Sequence, residues 1–397
     1  MTPSPPVAAA VALWVGLASA LLLAARSWLA LADQPFIPVP RSLVVGTWRR
    51  RAWFQWGTLA VLAASVGLWL AWPQLAPPWA VAGFATLTLG LWTLAFFATR
   101  LMFRSRERDS AFVSVAEASR RLGPDVPMIV LEVNGEARAY TDHDLLQPHV
   151  AGTANVGGEV VTMTYCGLSN LGVAYTASIQ GRPLELHPIT QLENNLILWD
   201  RRSGDLVQQL WGHLEGDSTR ARMREWPTRR MPFRSFAALY PEGQVFINPL
   251  PRWRNPIAHL WDGVIRSMMR AAVRKQGSGR DLLFPTRHPD KRLPGSARVF
   301  AFHVGDDHVA YTEEFVRGHG GVLNVEVGGR PVVVAYDEPH EVLGVFYNDT
   351  GAPVERIDAR GSTPQGRLPQ VETLKAGMFW GALVNYVRSV DLNRPQR

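Results

Sequence analysis

Three uncharged apolar runs open the chain: Val7 to Ala25, Ala52 to Trp72 and Trp79 to Phe97. Each is close to the roughly 20 residues an α-helix needs to cross the hydrocarbon core of a bilayer. Trp28, Trp53, Trp56, Trp69, Trp72 and Trp79 gather near their ends, as in an interfacial aromatic belt. Beyond them the pattern changes. Residues 110–123 place Phe112, Val115 and Ala118 on one face of a predicted short helix. Short β-branched and aromatic runs follow: Met128 to Val133, Ala137 to Thr141, Val160 to Tyr165, Gly172 to Ala177, Leu184 to Pro188 and Leu196 to Asp200. Asn134-Gly135, Gln180-Gly181 and Ser203-Gly204 punctuate them, which predicts an antiparallel, mainly β region. Ile257, Leu260, Trp261, Val264, Ile265, Met268, Ala272 and Val273 then recur at helical spacing, with Arg266, Arg270, Arg274 and Lys275 mostly elsewhere on the wheel. A basic amphipathic helix of this kind lies on a membrane surface or packs its apolar face on the β region. The β pattern resumes near Leu293 and closes on Met378-Phe379-Trp380.

The β region repeats itself. Ala139-Tyr140-Thr141, Val156-Gly157-Gly158 and Tyr165 return as Ala310-Tyr311-Thr312, Val327-Gly328-Gly329 and Tyr336, all 171 positions on. The hairpin signal Asn134-Gly135 faces Gly305-Asp306 at the same offset; Asn, Asp and Gly all accept the positive φ of primed turns. The expected architecture is a three-span membrane region (1–109), a linker helix (110–123), a first β-rich copy (124–249), a connecting segment with the amphipathic helix (250–292), and a second, shorter β-rich copy (293–397). The fold class is thus membrane-anchored α-helices followed by an α+β region of two related copies.

Charge sets the expected orientation. Arg26, Arg41, Arg49, Arg50 and Arg51 lie between the first two runs against only Asp33, and Arg100, Arg104, Arg106 and Arg108 follow the third. The positive-inside rule puts both flanks, and hence the β region, in the cytoplasm of a multi-pass protein, as in a bacterial inner membrane. No Lys or Arg precedes the first run, which argues against a cleaved signal peptide. The net charge of +7 is partly this juxtamembrane arginine, suited to anionic headgroups. No helix-turn-helix, zinc-finger or RNA-binding pattern accompanies it, so nucleic acid is not an expected partner. The spans hold no Asp, Glu, Lys, Arg or His of the kind that marks a transport path.

Glu136 to Asn170 carries motifs that resemble the domain-of-unknown-function family 3179, a bacterial and archaeal group. Its Ala-Tyr-Pro stretch, following His, Asn-Asp-x-x-Gly-Gly turn and Tyr-Cys-Pro-Leu-Cys segment read here as Ala139-Tyr140-Thr141, His149, Thr153-Ala154-Asn155-Val156-Gly157-Gly158 and Tyr165-Cys166-Gly167-Leu168-Ser169. Asn195 to Gly212 continues the likeness, and Phe284-Pro285 and Arg292-Leu293-Pro294 precede a stretch similar to the family's C-terminal half. The resemblance covers nearly all of Pro124 to Val390 and implies a fold, with no activity to carry over. The family's second cysteine is Ser169 here, its Ser-x-Trp is Asp205-Leu206-Val207, and its Asn-Asp is Thr153-Ala154.

Cys166, the only cysteine, has Asp337 as its counterpart in the second copy. A lone cysteine with histidines elsewhere is the sequence form of a Cys-His site, with His149 or His187 as base; it is equally the form of a small buried side chain at a strand end. His149, His187, His213 and Asp200 are residue types that bind zinc or iron, yet no His-x-x-x-His pair joins them, and neither metal nor other cofactor is expected. Tyr165, Ser169, His187, Asn195, Asp200, Arg201 and Gln209 are candidate binding residues on the segments that carry the resemblance. Asp200, Arg201 and Gln209 fit a polar groove, or a strand–turn–strand network around Ser203-Gly204. The glycine pairs read as turns, since no Gly-x-x-x-x-Gly-Lys pattern is present. The leading expectation is a membrane-tethered binding or assembly module with a groove in the first copy or between copies, its partners the bilayer and a second membrane protein or small polar ligand. The alternative is an enzyme or redox protein centred on Cys166.

Overall fold

The computed structural model describes residues 7–31, 39–97, 105–107, 110–152, 155–216, 221–248, 256–284, 286 and 288–395, with 256–262 described as backbone only. Asp33, Arg100, Arg104, Arg108, Thr153, Ala154, Pro285, the expected boundaries at 109, 249 and 250, and the side chains of Ile257, Leu260 and Trp261 lie outside the described residues. The chain forms two units, Met1–Phe103 and Arg104–Arg397.

In the first unit the apolar runs form α1 (Val7–Leu31), α3 (Arg51–Ala71) and α4 (Pro78–Phe97), with a short α2 (Arg41–Arg49) before α3. These three long helices are long and apolar enough to cross a membrane. Leu13, Leu17 and Ala20 of α1 pack with Leu62, Ala76 and Val81. Helix α1 extends past the expected end at Ala25 because Arg26 is accommodated: its guanidinium lies 4.7 Å from the Phe54 ring centroid and its Nε donates to Thr47 Oγ1 at 3.4 Å. At Gly16 a Cβ would collide with Ser65 Oγ, so two small residues let α1 and α3 approach closely.

The second unit is sheet-rich. Its strands of three or more residues are β1 (Ala111–Ser114), β2 (Pro127–Val133), β3 (Glu136–Thr141), β4 (Thr162–Cys166), β5 (Leu171–Thr176), β6 (Leu186–Leu192), β7 (Asn195–Asp200), β8 (Leu206–Gln208), β9 (Arg224–Trp226), β10 (Thr228–Pro232) and β11 (Gln244–Ile247). After helix α5 (Pro256–Ser278) come β12 (Arg298–Val304), β13 (Asp307–Tyr311), β14 (Val322–Val327), β15 (Arg330–Asp337), β16 (Val342–Tyr347), β17 (Lys375–Phe379) and β18 (Asp391–Asn393).

Two sheets share one plan. The first runs β10-β2-β3-β11-β1 and the other β17-β12-β13-β18. In each, a tight antiparallel hairpin stands at the centre, an antiparallel strand flanks one side, and a parallel strand flanks the other. Asn134 (φ 48°) and Gly135 (φ 90°) turn the first hairpin, and Gly305 (φ 59°) the second. Gly157 accepts no side chain because a Cβ would strike the Val133 carbonyl, and Gly328 likewise because of Val304. Their amides donate to Glu136 Oε2 at 2.8 Å and to Asp307 Oδ2 at 3.2 Å.

The segment 110–123 is not a single helix. Phe112 and its neighbours form strand β1 on β11, and only Val115–Ala118 turns helical, with Ser114 Oγ accepting from Glu117 N. The reason is tertiary: Phe112 packs edge-on against Tyr140 and Phe246, 5.9 and 5.7 Å away, and the partner strand comes from residues 244–247. Below this sheet Met128, Val130, Ala139, Met231, Phe236 and Val245 make a core that Val342 and Ala359 of the later half also enter.

Candidate functional site

The segment around Cys166 is buried. Cys166 ends β4, and Cys166, Tyr165, His149, Ser169, Asn195, Asp200 and Gln209 are all fully buried. His149 holds φ at 66°, and its carbonyl accepts from Tyr165 N at 2.7 Å while Nδ1 sits 3.1 Å from Tyr165 O. The fold therefore brings His149 beside the residue that precedes Cys166. Burial pushes the imidazole down to about 4, against the opposing pull of the Tyr165 carbonyl, so it is neutral at pH 7. Cys166 Sγ lies 4.0 Å from Asn194 O, and Ser169 Oγ donates to Cys166 O at 3.4 Å.

Helix α5 explains this burial. Ile265 and Met269 are buried, Gln276 donates to Leu168 O, and a Cβ on Gly167 would meet Val273. One face of the helix thus packs on the turn that carries Cys166. Asn194 closes another side through two bonds to the Phe284 backbone, at 3.0 and 3.3 Å.

The other predicted residues are separated from one another in role. Gln209 Nε2 reaches Thr164 Oγ1 and Leu171 O, each at 3.2 Å. Asp200 organises a turn, accepting from the amides of Glu185, Arg202 and Ser203; burial raises its carboxyl, but those amides outweigh it and hold it below the usual range. Arg201 is an exposed cation 3.6 Å from Glu185 Oε1, and His187 sits 3.3 Å from the same oxygen while its ring meets Trp199. Among the described residues no three His, Cys, Asp or Glu side chains group closely enough to hold a metal ion.

An open groove of about 830 Å³ lies elsewhere; of its lining only Asn134-Gly135 stood out in the sequence, and as a turn. Glu132, Asn134 and Gly135 from the first hairpin and Arg224 to Pro227 from β9 and its end line one side. Arg360, Arg367 to Gln370 and Glu372 line the other. At its base the Glu132 carboxylate, almost fully buried, gathers three arginines and a phenol. Its Oε2 accepts from Arg229 Nη2 at 2.8 Å and Tyr240 Oη at 2.6 Å; Oε1 accepts from Arg367 Nη2 at 2.5 Å and Arg360 Nη2 at 3.3 Å. Burial alone would raise this carboxyl, but the Tyr240 hydroxyl, Arg367 and Arg229 outweigh it and hold it at about 2. Arg229, itself buried, also donates to the Ala359 carbonyl, which ties the two sides together.

A second buried ion pair, Glu225 with Lys375, and Arg224 stacked 4.1 Å from the Trp226 ring complete the walls. Nearby, Arg230 spans the same junction. It grips both Asp142 oxygens at 3.0 Å, Asn170 O at 2.9 Å and Ala376 O at 3.2 Å. A signal for these residues did exist in the sequence. Glu132 interrupts the apolar run Met128 to Val133, and Arg229-Arg230 interrupt Thr228 to Pro232; a charge inside a strand core demands a partner.

No curated protein and no solved structure matches the chain. The model of a family described as protein of unknown function (DUF3179) matches residues 108–383, which takes in the buried Cys166 turn and every residue of the groove. The chain belongs to the DUF3179 family.

Proposed function

We propose that this protein is a membrane-anchored binding module made of two related β-rich copies, with a small polar ligand held in the groove between them. The groove carries the reading: a volume of about 830 Å³ is in the range of small-molecule sites, and the polar groups converging on it are fixed by a buried network. Duplication is supported by the shared order and strand directions of the two sheets, and by the pair β4–β5 recurring 171 positions on as β15–β16. Thr141 and Thr312 cap the helical turn after each hairpin in the same way, accepting from Asp144 N and Phe315 N. The three apolar helices supply the anchor, and the arginines flanking them favour a cytoplasmic β region. Burial of Cys166 weighs against a thiol-centred reaction, since a nucleophile must meet its substrate.

Native mass spectrometry of the full chain, extracted in mild detergent, tests the groove. The wild type is expected to carry a small-molecule adduct that Gln370→Trp, which fills the groove, loses. Absence of any adduct, or its persistence in Gln370→Trp, would overturn the reading.

A further inference from the structure

We infer that the groove ligand carries an oxyanion, carboxylate or phosphate, gripped by Arg360 and Arg367; this rests on the groove being a ligand site. Glu132 holds each of these two guanidiniums through a single nitrogen, Nη2 in both cases. Arg367 spends Nε on the Arg360 carbonyl at 3.0 Å. Their Nη1 groups make no hydrogen bond to the described residues, and the two side chains are 36% and 47% exposed. Glu132 thus acts as a positioning residue that presents two planar, fixed cations to the groove. Such forks match the paired oxygens of carboxylate and phosphate.

The charge balance points the same way. Three carboxylates line the groove, Glu132, Glu225 and Glu372, and each already has an internal partner: the arginine cluster, Lys375 and Tyr347. Of the cations around them, Arg229 and Lys375 are spent on Glu132 and Glu225 and Arg224 pairs with Glu159 at 3.2 Å, which leaves Arg360 and Arg367, sharing one Glu132 oxygen, with donors to spare. A cationic ligand would therefore meet occupied acceptors, whereas an anion meets donors in surplus. Trp226, Pro227, Leu368 and Pro369 add apolar wall. A ligand with an oxyanion head and an apolar body fits both features.

Calorimetric titration of the full chain in detergent, at fixed ionic strength, separates the cases. Millimolar orthophosphate and succinate are the probes, with tetramethylammonium as the cationic control. Binding of at least one oxyanion is expected, weakened tenfold or more in Arg367→Ala. Arg367→Lys keeps the charge beside Glu132, and with it the fold, but removes the fork; a severalfold loss is expected there too. Binding of orthophosphate alone assigns a phosphate source, and of succinate alone a carboxylate source. If neither oxyanion binds, or binding survives both Arg367 variants in folded protein, the oxyanion inference falls. A native adduct that persists under those results leaves the groove reading standing without it.

Discussion

Glu132 concentrates the energetics of the groove in one side chain. Its two oxygens accept four donors, which is the full capacity of a carboxylate. Glu132→Gln would leave Arg229 buried beside a neutral amide. Removing one partner of a buried pair costs about 3–5 kcal/mol, and the melting temperature should fall accordingly. A change within about 0.5 kcal/mol would show that the cluster is solvated instead. His149 gives a pH-dependent counterpart. Its folded value of about 4 lies below the unfolded value of roughly 6.5, so the unfolded chain takes up the proton first. Stability is therefore lost as pH falls from about 6.5 towards 4, by up to about 3 kcal/mol. His149→Asn, which tolerates the positive φ, should flatten the stability curve over that window relative to wild type; parallel curves would count against it. Neither residue's partners were legible in the sequence. Residue type marked Cys166 with His149 or His187 as a candidate site and a buried side chain at a strand end as the alternative; the packing of α5 decides for burial.

At the scale of elements, regular patterns and the Asn134-Gly135 hairpin were read well, and long-range pairings were not. The three apolar runs became α1, α3 and α4 within a few residues, because uncharged helical stretches of that length have few alternatives. The helix expected over 256–276 is α5, and its Ile265–Met269 face packs on the β region. The segment 110–123 departed from expectation because β11, more than a hundred residues away, recruits Phe112 into a sheet. Single-window periodicity cannot see that partner. Strand β17 shows the same dependence. Gly377 holds φ at 72°, and a Cβ there would press on Arg230 Cδ. Gly377→Ala should cost about 1–3 kcal/mol by combined backbone strain and displacement of Arg230. Gly135→Ala, open around its Cβ, tests strain alone and should cost less. Equal losses in thermal melts would remove the steric part of the account.

For the whole molecule, the repeated motifs fall on the central hairpins of two sheets with the same order of strand directions, since offset and turn chemistry are written locally. A groove in the first copy or between copies was expected, but its lining was not anticipated, because it is assembled from residues 132–135, 224–227 and 360–372. Topology can be checked with reporter fusions after residue 109: activity of a cytoplasmic reporter is expected, and activity of a periplasmic one would reverse the orientation. The central claim, that ligand meets the open groove and not the buried thiol, calls for one direct measurement. The native Cys166 serves as internal control in a Glu372→Cys chain, with a maleimide probe followed by mass and a small-molecule cell extract as ligand source. The account predicts rapid labelling at residue 372 that the extract slows, and no labelling of Cys166 until denaturant is added. Labelling of Cys166 in the folded protein, with residue 372 indifferent to the extract, would contradict it.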